Sequence, residues 1–340
     1  AKAVYSFVQK HLEYNQRYTR GAYDVEKKYK SKKGGKGEIN LALTAMLRYV
    51  GYDANPMMIA CKHQGQVLFP EKYRFNVLLC ALKIGKDFYL LDASEKNAKF
   101  GVIPVDLMND LGLIVFEDGR SISYPTRDAV QSVNNTIITT RLNLEDYSAY
   151  GSVNNQWTNN LALEYRDATE TVEETSFKDA IEELHPLLRI ENLEDNISDN
   201  PEESIKFSYD FKYKDAVEDI GGNLYVSPFL FLGSTTHVFD DDDRIYPIDL
   251  EFPKRETFTV TFHIPEGYTL ENVPKNKKIT LQDNLGSLVF IAKQQGALLQ
   301  LRLSVSINYS LIPPSYYGAL KELFKEYLSI SKSKIVLSKL

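Results

Sequence analysis

Residues 34–50 read Gly-Gly-Lys-Gly-Glu-Ile-Asn-Leu-Ala-Leu-Thr-Ala-Met-Leu-Arg-Tyr-Val. Ile39, Ala42, Leu43, Met46, Leu47 and Val50 recur at the 3.6-residue period, so 38–50 is predicted to be an amphipathic helix. Gly51, tolerant of positive φ, ends it. Upstream, the polar stretch 27–37 carries six lysines, and before it Val4, Phe7, Val8, His11 and Leu12 place a first helix on the same period. Downstream the signal changes to strands. Segments 56–61 and 75–84 are short and apolar, Gly85-Lys86 is a turn, and 87–92 (Asp-Phe-Tyr-Leu-Leu-Asp) is a further strand. The first hundred residues are therefore α+β.

Beyond Asp106 the pattern is mostly β. Ile205, Phe207, Tyr209, Phe211 and Tyr213 alternate with polar residues, as do Phe258, Val260, Phe262 and Ile264, and Leu299, Leu301, Leu303, Val305, Ile307 and Tyr309. One-sided alternation belongs to antiparallel sheets, and a β-sandwich is expected. Two helices interrupt it. One, about 176–189, is capped by Ser176 with Asp179 and limited by Pro186. The other, about 315–330, follows Pro313-Pro314 and puts Tyr316, Ala319, Leu320, Leu323, Phe324, Tyr327 and Leu328 on one face. The stretch 191–203, rich in Asn, Asp and Glu, is expected to be a surface loop. The expected domains are 1–117 and 118–340.

The 340 residues are 43% apolar and 25% charged, ordinary globular usage. Lys and Arg number 40 against 46 Asp and Glu, a net charge of −6 that exerts no global pull on nucleic acid. No apolar run reaches the ~20 residues of a membrane span. The chain opens directly in helix, without Met or a signal peptide, which places Ala1 at a processing boundary with sequence upstream. Two cysteines, Cys61 and Cys80, exclude a disulfide scaffold and a zinc site made of cysteine alone.

The order helix, glycine-containing loop, helix and hairpin ending in Leu91-Asp92-Ala93-Ser94 resembles the transglutaminase-like branch of the papain-type fold. That family carries G-x-C-x-[DE] at a helix start, His on the next strand and Asp at the following strand end. The three form a Cys-His-Asp triad in which helix dipole and imidazole stabilise a thiolate. In this chain Gly34-Gly35-Lys36-Gly37-Glu38 matches the first element with Lys36 at the nucleophile. Val77 (or Asn76, one register away) stands at the histidine, and Asp92 alone keeps the family residue. No Cys lies in 1–60 and no His in 65–98, so a register shift does not restore the triad. Segments 223–229, 244–248, 264–268 and 314–320 are similar to the later part of multidomain envelope proteins of Bacteroidetes-type bacteria, which end in a β domain of unknown function. The resemblance implies a periplasmic or cell-envelope location.

Losing both nucleophile and base removes orders of magnitude in rate. A non-catalytic binding or scaffold protein is therefore expected, its former cleft lined by Lys36, Glu38, Asn76 and Asp92 and open to a peptide, protein or glycan; no cofactor is expected. A purely structural envelope module is not distinguished from it. The alternative is a hydrolase using Glu38 and Asp92 as an acid/base pair. Lys36 reads as a solvated loop residue, or as an anion holder at the helix N-terminus; Asp92 reads as a strand-end residue bonded to local backbone. Cys61 and Cys80 read as buried free thiols, or as a disulfide; Cys80, inside a strand, is no nucleophile. His11 lies on an apolar stripe, and His63, His185, His237 and His263 stand singly without metal-ligand spacing. Asp240 to Asp243 read as a solvated acidic turn because contiguous acids lack the alternation of a calcium loop. Trp157 is the one aromatic left as a ligand-contact candidate.

Overall fold

The computed structural model describes residues 1–20, 24–65, 74–171, 177–233, 239 and 241–340. Ser176, His237 and Asp240 lie outside the described residues. The chain divides into two units: Ala1–Gln131 with Asn159–Asp167 and Asp199–Ser204, and Ser132–Thr158 with Ala168–Ser198 and Ile205–Leu340. It is an α+β protein.

The first unit holds α1 (Lys2–His11), α2 (Val25–Ser31) and α3 (Lys36–Tyr49). Its antiparallel sheet comprises β1 (Ala54–Ile59), β2 (Val77–Ile84), β3 (Asp87–Leu91), β4 (Leu111–Val115) and β5 (Ser121–Pro125), in the order β3-β2-β1-β4-β5. Helix α3 packs on β1 and β2, and Ile39, Leu43 and Leu47 meet Leu82, Leu91, Tyr5, Val8 and Leu12 in one core. On α1 the buried stripe is rotated from the expected one: Tyr5 is inside and Phe7 is 48% exposed. The reason is polar, because the Tyr5 hydroxyl donates to the carbonyls of Asp92 and Ala98. The expected boundary at 117 falls within the β4–β5 hairpin, whose pairing carries the unit past Pro125. Helix α4 (Asn159–Thr171), not foreseen, returns to this unit at its start, where Leu163 packs with Ala98 and Val102.

The second unit is β-rich. Its eight-stranded sheet contains β6 (Ser132–Asn143), β7 (Ser148–Trp157), β8 (Leu188–Asn196), β9 (Ile205–Tyr213), β12 (Lys254–His263), β14 (Lys277–Thr280), β15 (Gly286–Gln295) and β16 (Leu298–Ile307). The strand order is β8-β9-β7-β6-β12-β16-β15-β14, antiparallel except for the pair β6–β12. A four-stranded sheet of order β10-β11-β17-β13 is formed by β10 (Val217–Ile220), β11 (Asn223–Val226), β13 (Tyr268–Asn272) and β17 (Ile335–Lys339). The alternating apolar residues of β12 and β16 are buried as expected, although β16 stops at Ile307 and leaves Tyr309 exposed. Two helices accompany the sheets, α5 (Phe177–Leu184) and α6 (Tyr317–Ser331). On α6 the buried stripe contains Tyr317 in place of Tyr316, and Ala319 is exposed.

The expected loop at 191–203 is corrected. Residues up to Asn196 form β8, paired with β9 across a register shift between Glu191 and Glu194. As the outermost strand of its sheet, β8 tolerates a charged sequence that an inner strand would not. Asn192 takes φ 50° at the irregularity, a conformation that asparagine tolerates better than most residues.

Candidate functional site

The start of α3 organises the first unit's candidate site. Three backbone N–H groups there are already taken: Gly35 N donates to Glu38 Oε2 (2.6 Å), Lys36 N to the Arg17 carbonyl (3.0 Å) and Gly37 N to Thr19 Oγ1 (2.9 Å). The chain at Arg17–Thr19 lies so close that a Cβ on Gly37 would sit 2.4 Å from the Thr19 carbonyl oxygen. Only glycine fits under that strap. The anion-holder reading of Lys36 is thereby corrected, since these N–H groups have internal acceptors.

Lys36 is not a solvated loop residue either. Its side chain is 4% exposed, and Nζ lies 2.5 Å from Oδ2 of Asp92, which is fully buried. The rings of Tyr14 and Tyr18 sit 5.1 and 5.8 Å from the ammonium, at cation–π range. Asp92 Oδ1 accepts from Asn40 Nδ2 (2.9 Å), Ser94 N (3.1 Å) and Ser94 Oγ (2.6 Å). Asn40 also donates to the Leu78 carbonyl and accepts from Ala93 N. Burial by itself raises the Asp92 carboxyl, but the Lys36 charge and these hydrogen bonds outweigh it and hold it below its ordinary value. Burial likewise disfavours the Lys36 ammonium, and Asp92 outweighs that in turn, so the amine stays protonated above its ordinary value.

These contacts decide the expected cleft residues. Lys36, Glu38 and Asp92 are buried with internal partners and do not line an open groove. The acid/base reading of Glu38 and Asp92 is corrected for the same reason. Glu38 caps its own helix through Gly35 N and Asp92 is paired with Lys36, so both carboxylates already have partners inside the protein. Val77 is fully buried on β2. Asn40 was missed, although Lys36, Asn40 and Thr44 stand at i, i+4 and i+8 on the stripe of Ile39, Leu43 and Leu47. That polar line inside an apolar one was the available signal.

Glu95 lies beside the pair. Burial first, then the charges of Asp167 and Asp92, raises its carboxyl from 4.5 to about 7. An acid whose folded value is raised costs stability as pH climbs from the unfolded value through the folded one. The shift corresponds to about 3 kcal/mol. Glu95→Gln is therefore expected to be neutral below about pH 4.5 and stabilising by about 2–3 kcal/mol near pH 8. Urea unfolding across that range checks it.

A second cluster forms where Asn76 approaches the end of β1. Asn76 Nδ2 donates to Cys61 Sγ (2.8 Å), and Asn76 Oδ1 accepts from Cys61 N (3.1 Å). Cys61 Sγ lies 3.3 Å from His63 Nδ1, which lies 4.0 Å from Asp106 Oδ1. Tyr18 donates to Asp106 Oδ2 (3.2 Å). Burial, joined by the Asp106 charge, pushes the Cys61 thiol up against the lowering effects of the Asn76 hydrogen bond and Lys36. The Cys-x-His spacing of 61 and 63 was readable, whereas nothing local points to Asp106. His63, read as standing singly, is brought together with both.

Cys61 and Cys80 are free. On the paired strands Cys80 faces Pro56, about 16 Å along the strand from Cys61 at ~3.3 Å per residue, beyond disulfide reach. Burial pushes the Cys80 thiol up to about 12, consistent with an inert core residue. Trp157, at the end of β7, donates its indole N–H to Asn134 Oδ1 (3.0 Å) and packs edge-on against Phe207. Among the described residues, no helix is long and apolar enough to cross a membrane.

Residues 1–72 match the transglutaminase-like superfamily, and residues 222–337 match a domain of unknown function with a solved structure (DUF3858). The first match ends before the Val77 and Asp92 positions. No curated protein matches the chain. A solved structure of a "putative protease" from Parabacteroides distasonis aligns with 98% of this chain at 13% identity and a TM-score of 0.49, and the chain spans half (50%) of that protein's length.

Proposed function

Taking the transglutaminase-like domain of the first unit as premise, we propose that this domain is a non-catalytic binding or scaffold module, its acyl-transfer centre replaced by a structural ion pair. One observation supports the reading: Lys36, which the resemblance puts at the nucleophile position, is closed off by Asp92 at 2.5 Å. A protonated amine has no lone pair to offer a carbonyl carbon, and its neighbour keeps it protonated. The ligand class is a peptide, protein or glycan strand bound outside this buried pair. The similarity to Bacteroidetes-type envelope proteins extends the proposal to a periplasmic or cell-envelope location, which fractionation of the native host checks.

Incubating the full chain with amine donors, glutamine-containing peptides and peptidoglycan fragments is expected to give no turnover above a heat-denatured control. Turnover that is abolished by Lys36→Arg, which keeps the positive charge but removes the primary amine, overturns the proposal.

A further inference from the structure

We propose that Cys61, His63 and Asp106 form a binding site for a divalent metal ion of the zinc class. One ligand atom from each of the three residues lies within 4.8 Å of the other two. A tetrahedral zinc ion with bonds of about 2.0–2.3 Å needs its ligand atoms about 3.3–3.6 Å apart. Sγ lies 3.3 Å from Nδ1 and 3.5 Å from Nε2, over the face of the His63 ring. The imidazole must therefore turn to aim Nδ1 at a shared ion, and the nitrogen–oxygen separation of 4.0 Å must close as it does. That rotation is available, because the side chains of His63 and Asp106 are 56% and 40% exposed, while Cys61 is buried and fixed.

The donor set selects the ion. One thiolate, one imidazole and one carboxylate suit a borderline-soft cation and disfavour magnesium or calcium, which take oxygen. Two short 3-10 helices, Lys62–Gln64 and Val105–Leu107, pack on each other and present the ligands. The outer partners are also in place: Asn76 holds the sulfur from one side and Tyr18 holds the second oxygen of Asp106. Binding displaces the thiol proton to solvent and forms a metal–sulfur bond without redox change. Three protein ligands leave a fourth position for water or for a carboxylate of a bound strand. This ion would not restore chemistry at Lys36, so the site stands or falls independently of the ion-pair reading.

The test is cobalt(II) and zinc(II) titration of the full chain. The expected result is one ion per chain, a thiolate-to-cobalt charge-transfer band with the strong visible absorption of a tetrahedral centre, and displacement of cobalt by zinc but not by magnesium or calcium. Cys61→Ser and His63→Ala are each expected to weaken zinc by more than about 100-fold, with Tyr18→Phe weakening it by about 10-fold. His63 is exposed, so His63→Ala keeps the fold, which circular dichroism verifies, and it decides the matter even if Cys61→Ser unfolds. Absence of the charge-transfer band, or zinc affinity unchanged in His63→Ala, overturns the proposal. So does alkylation of Cys61 by iodoacetamide at a rate that zinc does not alter, which would mark a free thiol–imidazole dyad instead.

Discussion

Lys36→Met is expected to lower the stability of the first unit by about 3–5 kcal/mol, because it leaves the Asp92 carboxylate buried and unpaired. Asp92→Asn leaves the ammonium in the same position and is expected to cost a similar amount. The double variant Lys36→Met/Asp92→Asn is expected to recover most of the loss, since an uncharged pair of similar volume removes both desolvation penalties. The pH dependence follows from the two directions. Asp92, held below its ordinary value, stabilises the fold above the usual carboxylate range, and that contribution disappears as pH falls through the depressed value. Lys36, held above its ordinary value, stabilises the fold below the usual lysine range, and that contribution disappears as pH rises through the raised value. In Lys36→Met the buried Asp92 carboxyl is raised instead, so the deficit of this variant shrinks on acidification. Urea unfolding of the four proteins in the double-mutant cycle, at neutral and mildly acidic pH, measures all of this. Simple additivity of the single losses would refute the buried pair.

Asn40→Ala is expected to cost about 2–4 kcal/mol without adding or removing a charge, since it deprives buried groups, the Asp92 carboxylate among them, of hydrogen bonds. Its amide joins three parts of the fold: the Leu78 carbonyl on β2, the Asp92 carboxylate and the Ala93 N–H beyond β3. The Ala93 donor is left without this acceptor, and Asp92 retains Lys36 and Ser94. Asn40→Asp keeps one acceptor for Ala93 N but sets a second carboxylate against Asp92, and is expected to be worse than alanine. Amide hydrogen exchange at Ala93 supplies a local readout: a marked loss of protection in Asn40→Ala confirms the link, and unchanged protection rejects it.

Much of the fold was legible locally. The helix around 38–50, the strands of β12 and β16 and the C-terminal helix near 315–330 are periodic enough to declare themselves, because repetition along the chain reports which face is buried. The departures have distinct causes. The stripe of α1 turned toward Tyr5 because a tyrosine hydroxyl found two carbonyls inside, something no apolar count registers. Strand β8 looked like a loop because an edge strand needs little apolar sequence, and β17 was too short and too near the terminus to give a pattern.

By itself the amino-acid order established that residue 36 is a lysine and residue 77 a valine, and that no Cys lies in 1–60 and no His in 65–98, since identity needs no coordinates. What Lys36 does there was decided only by tertiary structure: burial and the approach of Asp92 from a strand far along the chain turned an apparently solvated amine into half of an internal salt link. The same holds for Cys61, His63 and Asp106, where two short helices meeting in space gather three side chains. Side-chain ionisation and ligation depend on neighbours supplied by long-range packing, and a linear pattern records only the spacing within each segment.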